Sequence, residues 1–407
     1  MEVVYPRCAG LDLHRDKIVA CVRVAKSRKV ERHVKEFGTS TSDLLRLSDW
    51  MASFKVTHVA MESTGVLWKP VWHILAGSFE LTLGNAKQMR NVPGKKTDVK
   101  DAAWIADLHA HGLIRASFVP GQEIQELRDL TRTRKQMMRE RARHIQRIQK
   151  VLQDANIKLT SVLTDIMGTS GRRILTAILD GETDARKLAL LVDWRVKAGR
   201  EQIVEALRGR VTAHHRFMIG LHLRQIREVE SMVSELEGRI TNALDPFREL
   251  VDRLCGIPGI SADAAAVIIA ETGGSTKAFP TDDDMVAWAG LSPGMNESAG
   301  KKKSTRTQRQ RWLKTTMTQC AWAASKKRDS FFQARYHRIK ARRGKKKAVV
   351  AVAGSMLRAI YHMMSEGTEY KDPGPTFYDH VQRKKTAQRL AKRLERLGYV
   401  VELKKAA

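Results

Sequence analysis

The feature that most narrows the fold is a change of period along the chain. Residues 8–37 alternate apolar and polar in short runs, "CAGLDLH", "KIVACVRVA" and "KVERHVKEF", and read as strands of an antiparallel meander. "STSDLLRLSDWMASF" then takes the spacing of an amphipathic helix opened by capping serine and threonine residues. "THVAMES" reads as a short buried strand, "VLWKPVWHILAG" as a helix ended by Gly77, and "FELTLGN" as another strand. Three strands, helix, strand, helix, strand is the order of a mixed sheet with helices on both faces.

Beyond Glu123 the alternation stops, and no proline appears until Pro246. Residues 124–158 read as one long basic helix, with Leu127, Leu130, Arg134, Met137, Arg141, His144, Ile148 and Val151 at seam positions. Basic residues interrupt that seam, which suggests a helix that serves both packing and a phosphate backbone. Ile226, Val229, Val233, Leu236, Ile240, Ala243 and Phe247 follow spacings of three and four without a break, a heptad seam. One helix of a bundle within a single chain satisfies this pattern. An antiparallel coiled coil that also pairs protomers satisfies it too, and is slightly favoured.

After Arg253, "LCGIPGISADAAAVIIAETG" places a glycine-rich turn between two apolar helical segments. It reads as a helix-hairpin-helix, whose backbone N–H groups can hold a phosphate, or as a simple tight turn. Helices dominate onward to a loop, "KDPGPTF", and a final basic amphipathic helix, "DHVQRKKTAQRLAKRLERLG". At 407 residues the chain has room for two or three cores. The expected divisions are a sheet domain over 1–120, a helical coiled-coil region over 121–250, a helical domain over 251–370 and a basic tail over 371–407. The fold class is α+β at the start and mostly α overall.

The net charge of +29 points to a polyanion, and nucleic acid is the default partner. The charge is localised: Lys301 to Lys347 holds 18 Lys or Arg against one acidic residue, Asp329. Lys301, Lys302, Lys303, Arg306, Arg309, Arg342, Arg343, Lys345, Lys346 and Lys347 are the expected phosphate contacts. An anionic membrane surface is the lesser reading of such a block. Cys8, Cys21, Cys255 and Cys320 form no CxxC pair, which argues against a zinc site and a disulfide framework and fits a reducing cytosol. Arg7, Asp12, His14 and Arg15 interrupt any early apolar run, and "AVVAVAGSML" is far short of a spanning helix, so neither a signal peptide nor a membrane span is expected.

Four carboxylates stand out against this basic background. Asp12 lies in the first strand, Glu62 ends the fourth, and Asp98 and Asp101 are three apart, so a helix puts both on one face. Neighbouring strands carry Asp12 and Glu62 to one sheet edge, and a helix after the last strand can bring Asp98 and Asp101 over it. Taken singly each is more simply a capping or turn residue. Converging, they would raise one another's proton affinity unless cations sit among them. Oxygen-only ligands suit Mg²⁺ or Mn²⁺, and two such ions can activate an attacking oxygen and stabilise a leaving one at phosphorus. Ser298, in "ESAGKKKSTR", is either an exposed loop serine or a nucleophile beside a phosphate-binding patch.

"GLDLHRD", "MESTGVLWKPVWHIL", "NAKQMRNVPGKKTDVKDAAWIADLHAHGLIR", "GIPGISADAAAVI", "WAGLSPGMNESAGKKKS" and "ARYHRIKARRGKKKAVVAVA" together resemble transposases of the insertion sequence one-hundred-ten family, the bridge-RNA-guided recombinases. The resemblance spans roughly 8–120 and 250–370. It implies an N-terminal RuvC-like domain of the ribonuclease H-like fold, whose order matches the strand reading above, a coiled coil, and a C-terminal transposase domain with a catalytic serine. Residue by residue, the DEDD carboxylates fall on Asp12, Glu62, Asp98 and Asp101, and the serine on Ser298. It further implies donor and target DNA, an element-encoded bridge RNA, dimers that assemble to tetramers, and a prokaryotic cytoplasmic, nucleoid-associated setting. The long stretch from about 160 to 220 and the basic tail depart from shorter members. The alternative reading is a RuvC-like junction nuclease that hydrolyses with two metals and water, for which Ser298 is dispensable.

Overall fold

The computed structural model describes residues 2–26, 29–63, 65–85, 98–293, 297–298, 300–302, 312–378 and 383–402. The chain divides into two compact units, Met1–Pro120 and Gly121–Ala407.

The first unit holds strands β1 (Arg7–Leu13), β2 (Ile18–Lys26) and β3 (Lys29–Phe37), helix α1 (Thr41–Ser53), strand β4 (His58–Glu62), helix α2 (Trp68–Leu75), strand β5 (Glu80–Gly84) and helix α3 (Asp98–Ala110). The sheet order is β3-β2-β1-β4-β5. β2 pairs antiparallel with β1 and β3, whereas β1, β4 and β5 run parallel. This is the mixed sheet expected from the strand order.

Alternation along β1 explains the layering. Ala9, Leu11 and Leu13 share a core with Leu44, Leu47 and Met51 of α1 and with Val71 and Leu75 of α2. The opposite face meets α3, where Val19 and Cys21 pack on Ala102 and Ala106, and Ala60 on Ile105. Arg23, buried on β2, donates to Asp107 at 2.9 Å, and Arg32 of β3 reaches the same carboxylate at 3.0 Å. Asp107 therefore ties α3 to the sheet. At the C-terminal end of α3, His109 is buried beside the rings of Tyr5 and His58, and burial pushes its pKa down to about 4.

In the second unit α4 (Gln122–Asp154) and α5 (Ala213–Ala243) form an antiparallel pair. Arg134 bonds Glu237, Arg141 bonds Glu230, His144 meets His222, and Asp154 meets His215, so partners recede along one helix as they advance along the other. Ile226, Val229, Val233 and Ile240 are buried within this one chain. Ile219 and Ile226 join Ile148 and Leu152 of α4 in a core completed by short helices of residues 159–207, including Ile174, Leu175 and Ile178. Four of the seven seam residues are thus covered within the chain, as the single-chain bundle reading expects, while Leu236, Ala243 and Phe247 are half-buried. The pairing corrects the reading of the interrupted α4 seam at two positions. Arg134 and Arg141 face carboxylates across the pair rather than a phosphate backbone, because Glu237 and Glu230 stand at the matching positions.

Next come α6 (Arg248–Cys255), α7 (Ala262–Thr272), α8 (Asp282–Trp288), the two-residue strands β6 (Glu297–Ser298) and β7 (Lys301–Lys302), α9 (Trp312–Ala324), α10 (Phe331–Arg343), α11 (Lys345–Glu366) and α12 (Arg383–Glu395). The expected turn joins α6 to α7, and Ser261 caps α7 by accepting from Ala264 N at 3.4 Å. Gly259 is required there twice: its φ is +84°, and a Cβ would stand 2.5 Å from the Cys320 carbonyl oxygen of α9. The glycine thus serves packing as well as the turn. α11 is apolar and long enough, by length and composition, to cross a membrane, yet half of its apolar window is buried in the protein. Ala348, Val352, Ala353, Met356, Leu357 and Ile360 are wholly buried, which makes α11 the core helix of this unit. The start of the basic tail is packed as well: Asp372 accepts from Phe331 N at 2.9 Å, and Tyr378 stacks on the Phe331 ring.

Candidate active site

The carboxylate edge is set by strand register. β1 and β4 pair in parallel with Cys8 opposite His58, Ala9 opposite Val59, Gly10 opposite Ala60 and Leu11 opposite Met61. The next step along both strands places Asp12 beside Glu62. In-register residues of parallel strands share a face, so both carboxylates belong to the face that α3 covers.

α3 runs antiparallel to β1. Cys8 Sγ donates to Ala106 O, and Val4 N, just before β1, donates to Ala110 O at 2.8 Å. Gly10 lies against the previous turn, where a Cβ would stand 2.4 Å from both Ala102 O and Ala106 N. Following this approach up the strand leads to the first turn of α3, which opens with Asp98 and carries Asp101. The backbone of the helix start and the strand ends therefore lie at one edge of the sheet. The backbone places Asp98 there; its side chain lies outside the described residues. Asp101 and Glu62 are half-buried.

Asp12 has a partner that sequence reasoning missed. The His14 Nε2 donates to Asp12 Oδ2 at 3.0 Å, and the Asp12 side chain is only 15% exposed. The signal was present in "DLH", since residues two apart on a strand share a face. Gly10, which lets α3 approach, was also missed, because a lone glycine in a strand does not say which element comes close. Buried Cys8 on this same face is held as a thiol, its pKa pushed up to about 12 by desolvation, which removes it as a thiolate ligand or nucleophile at neutral pH.

Among the described residues no group of three or more His, Cys, Asp or Glu side chains forms a metal cage. The donor chemistry of the edge nevertheless fits a hard divalent cation: two strand-end carboxylates in register, with two more on the first turn of the covering helix, all oxygen donors.

Ser298 sits in a minimal hairpin. Glu297 pairs with Lys302 and Ser298 with Lys301, so two residues make the turn. Gly300, the second of them, has φ +72°, and a Cβ there would meet nothing within 4 Å. The glycine is needed for the turn's conformation, not for a close approach. The structure places Lys301 and Lys302 on the returning strand, while Lys303, Arg306 and Arg309 lie outside the described residues. Arg342 and Arg343 are exposed at the end of α10, and Lys345, Lys346 and Lys347 are exposed at the start of α11, after a break at Gly344 with φ +80°. Three ammonium groups on the positive end of a helix are unfavourable. A bound anion would offset that.

Family models match both parts of the chain. A family model described as a transposase, DEDD_Tnp_IS110, matches residues 9–157, a span that includes all four carboxylates. A second, described as Transposase IS116/IS110/IS902 family, matches residues 251–337 and includes Ser298. Together they cover more than half of the chain and name one family. The chain belongs to the IS110 family of transposases. As an IS110 transposase it is an enzyme that acts on DNA, and a DNA partner follows. A solved structure titled "Thermus thermophilus RuvC structure" is similar over 27% of this transposase and 99% of that chain, at 12% identity and a TM-score of 0.22. No curated protein matches the chain.

Proposed function

We propose that this transposase breaks and rejoins DNA through a serine–phosphate bond, with Asp12, Glu62, Asp98 and Asp101 holding Mg²⁺ or Mn²⁺ and Ser298 as the nucleophile. The observation that carries the reading is the register of β1 with β4, which pairs Leu11 with Met61 and so brings Asp12 and Glu62 to neighbouring strand ends on the face covered by the helix that carries Asp98 and Asp101. When bound, such ions lower the pKa of an oxygen nucleophile and stabilise the leaving oxygen at phosphorus. His14 holds the Asp12 carboxylate in place through its Nε2.

In the proposed step the Ser298 hydroxyl loses its proton as its Oγ bonds to phosphorus. The P–O bond to the deoxyribose breaks, and the departing sugar oxygen takes up a proton. Attack by a hydroxyl of the second strand reverses the sequence and restores Ser298. Lys301–Lys303, Arg306, Arg309, Arg342, Arg343 and Lys345–Lys347 bind strand phosphates in this reading. An element-encoded bridge RNA selects donor and target, as pairing does in other guided systems. The working form is a dimer or a tetramer of such dimers, and the setting is the prokaryotic cytoplasm, on the nucleoid. The sheet domain over 1–120, the helical region over 121–250, the serine domain over 251–370 and the tail over 371–407 are its functional divisions.

Denaturing gels after incubation with supercoiled donor and target DNA test the chemistry. The unaltered protein should leave a covalent protein–DNA adduct in Mg²⁺ and none in chelator. Ser298→Ala should lose adduct and recombination at least a thousandfold while DNA binding persists. Asp12→Asn should do the same. Strand exchange that survives in Ser298→Ala would replace this reading by hydrolysis at the carboxylate edge.

A further inference from the structure

The basic helix α4 sorts its cations into two kinds. Arg128 caps α7 through the carbonyls of Ala270 and Glu271, at 3.0 and 2.9 Å. Arg132 grips the buried Glu271 carboxylate at 2.8 and 2.9 Å, Arg134 is shared by Glu237 and Asp263, and Arg141 bonds Glu230. These positions are structural.

Lys135 and Arg139 behave differently. The Lys135 Nζ donates to neutral oxygens, Trp312 O at 3.4 Å and Thr316 Oγ1 at 3.2 Å. Among the described residues neither Lys135 nor Arg139 forms an ion pair with a carboxylate. Both flank the indole of Trp312 on α9, at 5.8 and 5.6 Å from the ring centroid, and Arg132 lies over the same ring at 5.4 Å. Lys135 is half-buried, and desolvation together with the neighbouring Arg139 charge lowers its pKa against the opposing pull of the Glu271 carboxylate. A cation withdrawn from water beside another cation is costly unless an anion joins them.

The space for that anion is present. Lys135 and Arg139 line a cleft of about 840 Å³ between α4, α5, α7 and α9, whose wall also carries Thr241, Ser261, Thr315 and Gln319, together with Arg134 and the two carboxylates it binds, Glu237 and Asp263. The volume far exceeds the need of a single inorganic ion and matches a site for an organic ligand. It is too small to admit a duplex. Cations presented beside an aromatic ring, with hydroxyl and amide groups on the same wall and its two carboxylates already bound by Arg134, suit an unpaired strand of nucleic acid.

We infer that this cleft binds the phosphodiester backbone of a single-stranded segment, with Lys135 and Arg139 on its phosphates and Trp312 holding the two cations in position. The inference rests on the chain's action on nucleic acid, not on the serine chemistry. The segment comes from unpaired DNA or from RNA, and both present the same backbone.

Binding measured in chelator keeps this separate from strand cleavage, so the cleft can fail while the serine reading stands, and the reverse. Fluorescence anisotropy of the full chain with labelled single-stranded DNA, single-stranded RNA and duplex DNA of one sequence, across a salt series, gives the test. Lys135→Met with Arg139→Ala should weaken binding to one or both single strands about tenfold. It should also lower the slope of log K against log salt by about 1.4, two contacts at ~0.7 each. A larger loss on RNA identifies the source as a guide, and a larger loss on DNA identifies a substrate strand. Arg143→Ala, an exposed cation of α4 outside the cleft, should change neither quantity by as much. In the unaltered chain, a saturating single strand should shield Lys135 from an amine-reactive reagent, read by peptide mass. An unchanged slope in the double variant with Lys135 equally reactive in both states would overturn the proposal. So would an equal loss in Arg143→Ala.

Discussion

The carboxylate edge and the serine hairpin are built in opposite ways. Asp12 and Glu62 sit at the ends of neighbouring strands in a five-stranded sheet packed on both faces, and the covering helix is pinned by Arg23, Arg32 and Asp107. Ser298 sits on a ladder of two residue pairs with a two-residue turn. In the proposed reading the carboxylates share a metal, which needs positions fixed to a fraction of an ångström, and a packed sheet supplies them. In the same reading Ser298 must reach a phosphorus and later release it, and a short hairpin whose few bonds rearrange without unfolding a core serves that. The difference predicts that damage at the edge will be paid in stability and activity together, and damage at the hairpin in activity alone.

Gly10→Ala should have the largest effect on the fold. Its Cβ would meet backbone oxygen and nitrogen of α3 at 2.4 Å, so the helix must move rather than a side chain. We expect a loss of about 3 kcal/mol in denaturant unfolding, together with lost cleavage, since Asp98 and Asp101 ride on the displaced helix. Full activity with unchanged stability would break the comparison.

The far end of the same helix should show acid lability. His109 is held neutral in the fold, its pKa about 4 against an ordinary 6.5. Its stabilising share is complete above pH 6.5 and is lost as pH falls toward 4, because the unfolded chain binds the proton that the folded chain refuses. The full loss is about 3 kcal/mol at 1.36 kcal/mol per pH unit. His109→Phe, which keeps the ring packing with Tyr5 and His58, should flatten unfolding free energy across that window. A slope that persists would place the acid-sensitive group elsewhere.

The smallest effect is expected at the hairpin. Gly300→Ala forces an alanine into a left-handed conformation at a cost of roughly 1 kcal/mol. Because few contacts depend on that turn, the melting temperature should hold while the rate of adduct formation falls several-fold. A drop in melting temperature comparable to that of Gly10→Ala would show that the hairpin is as deeply supported as the sheet edge.

Local periodicity carried the legible part of the fold. Period-two runs marked β1, β2 and β3, and the positions of Asp12, Glu62 and Asp101 followed once strand order was read. Less legible was everything decided by partners distant in sequence. Arg134 on an interrupted seam looks free to meet a phosphate until Glu237 and Asp263 are seen beside it. Val233 and Ile240 form a seam whichever chain covers it, and only the antiparallel run of α4 settles that cover. Arg134 and Lys135 are adjacent and alike in sequence, yet among the described residues Arg134 pairs with carboxylates and Lys135 donates to neutral oxygens.

The antiparallel pair of α4 and α5 also has a length. At 1.5 Å per residue the 33 residues of α4 make a strut of about 50 Å. Its pairing is indexed by Arg134 with Glu237 at one level and Arg141 with Glu230 seven residues on, a single heptad apart along both helices. Adding one residue to either helix would rotate everything beyond it by about 100° and uncouple every later pair. Adding seven to both would restore the pairing and lengthen the strut by about 10 Å. The pairing thereby tolerates a change of length only in matched heptads, so the reach of the strut can change only in coarse, discrete increments.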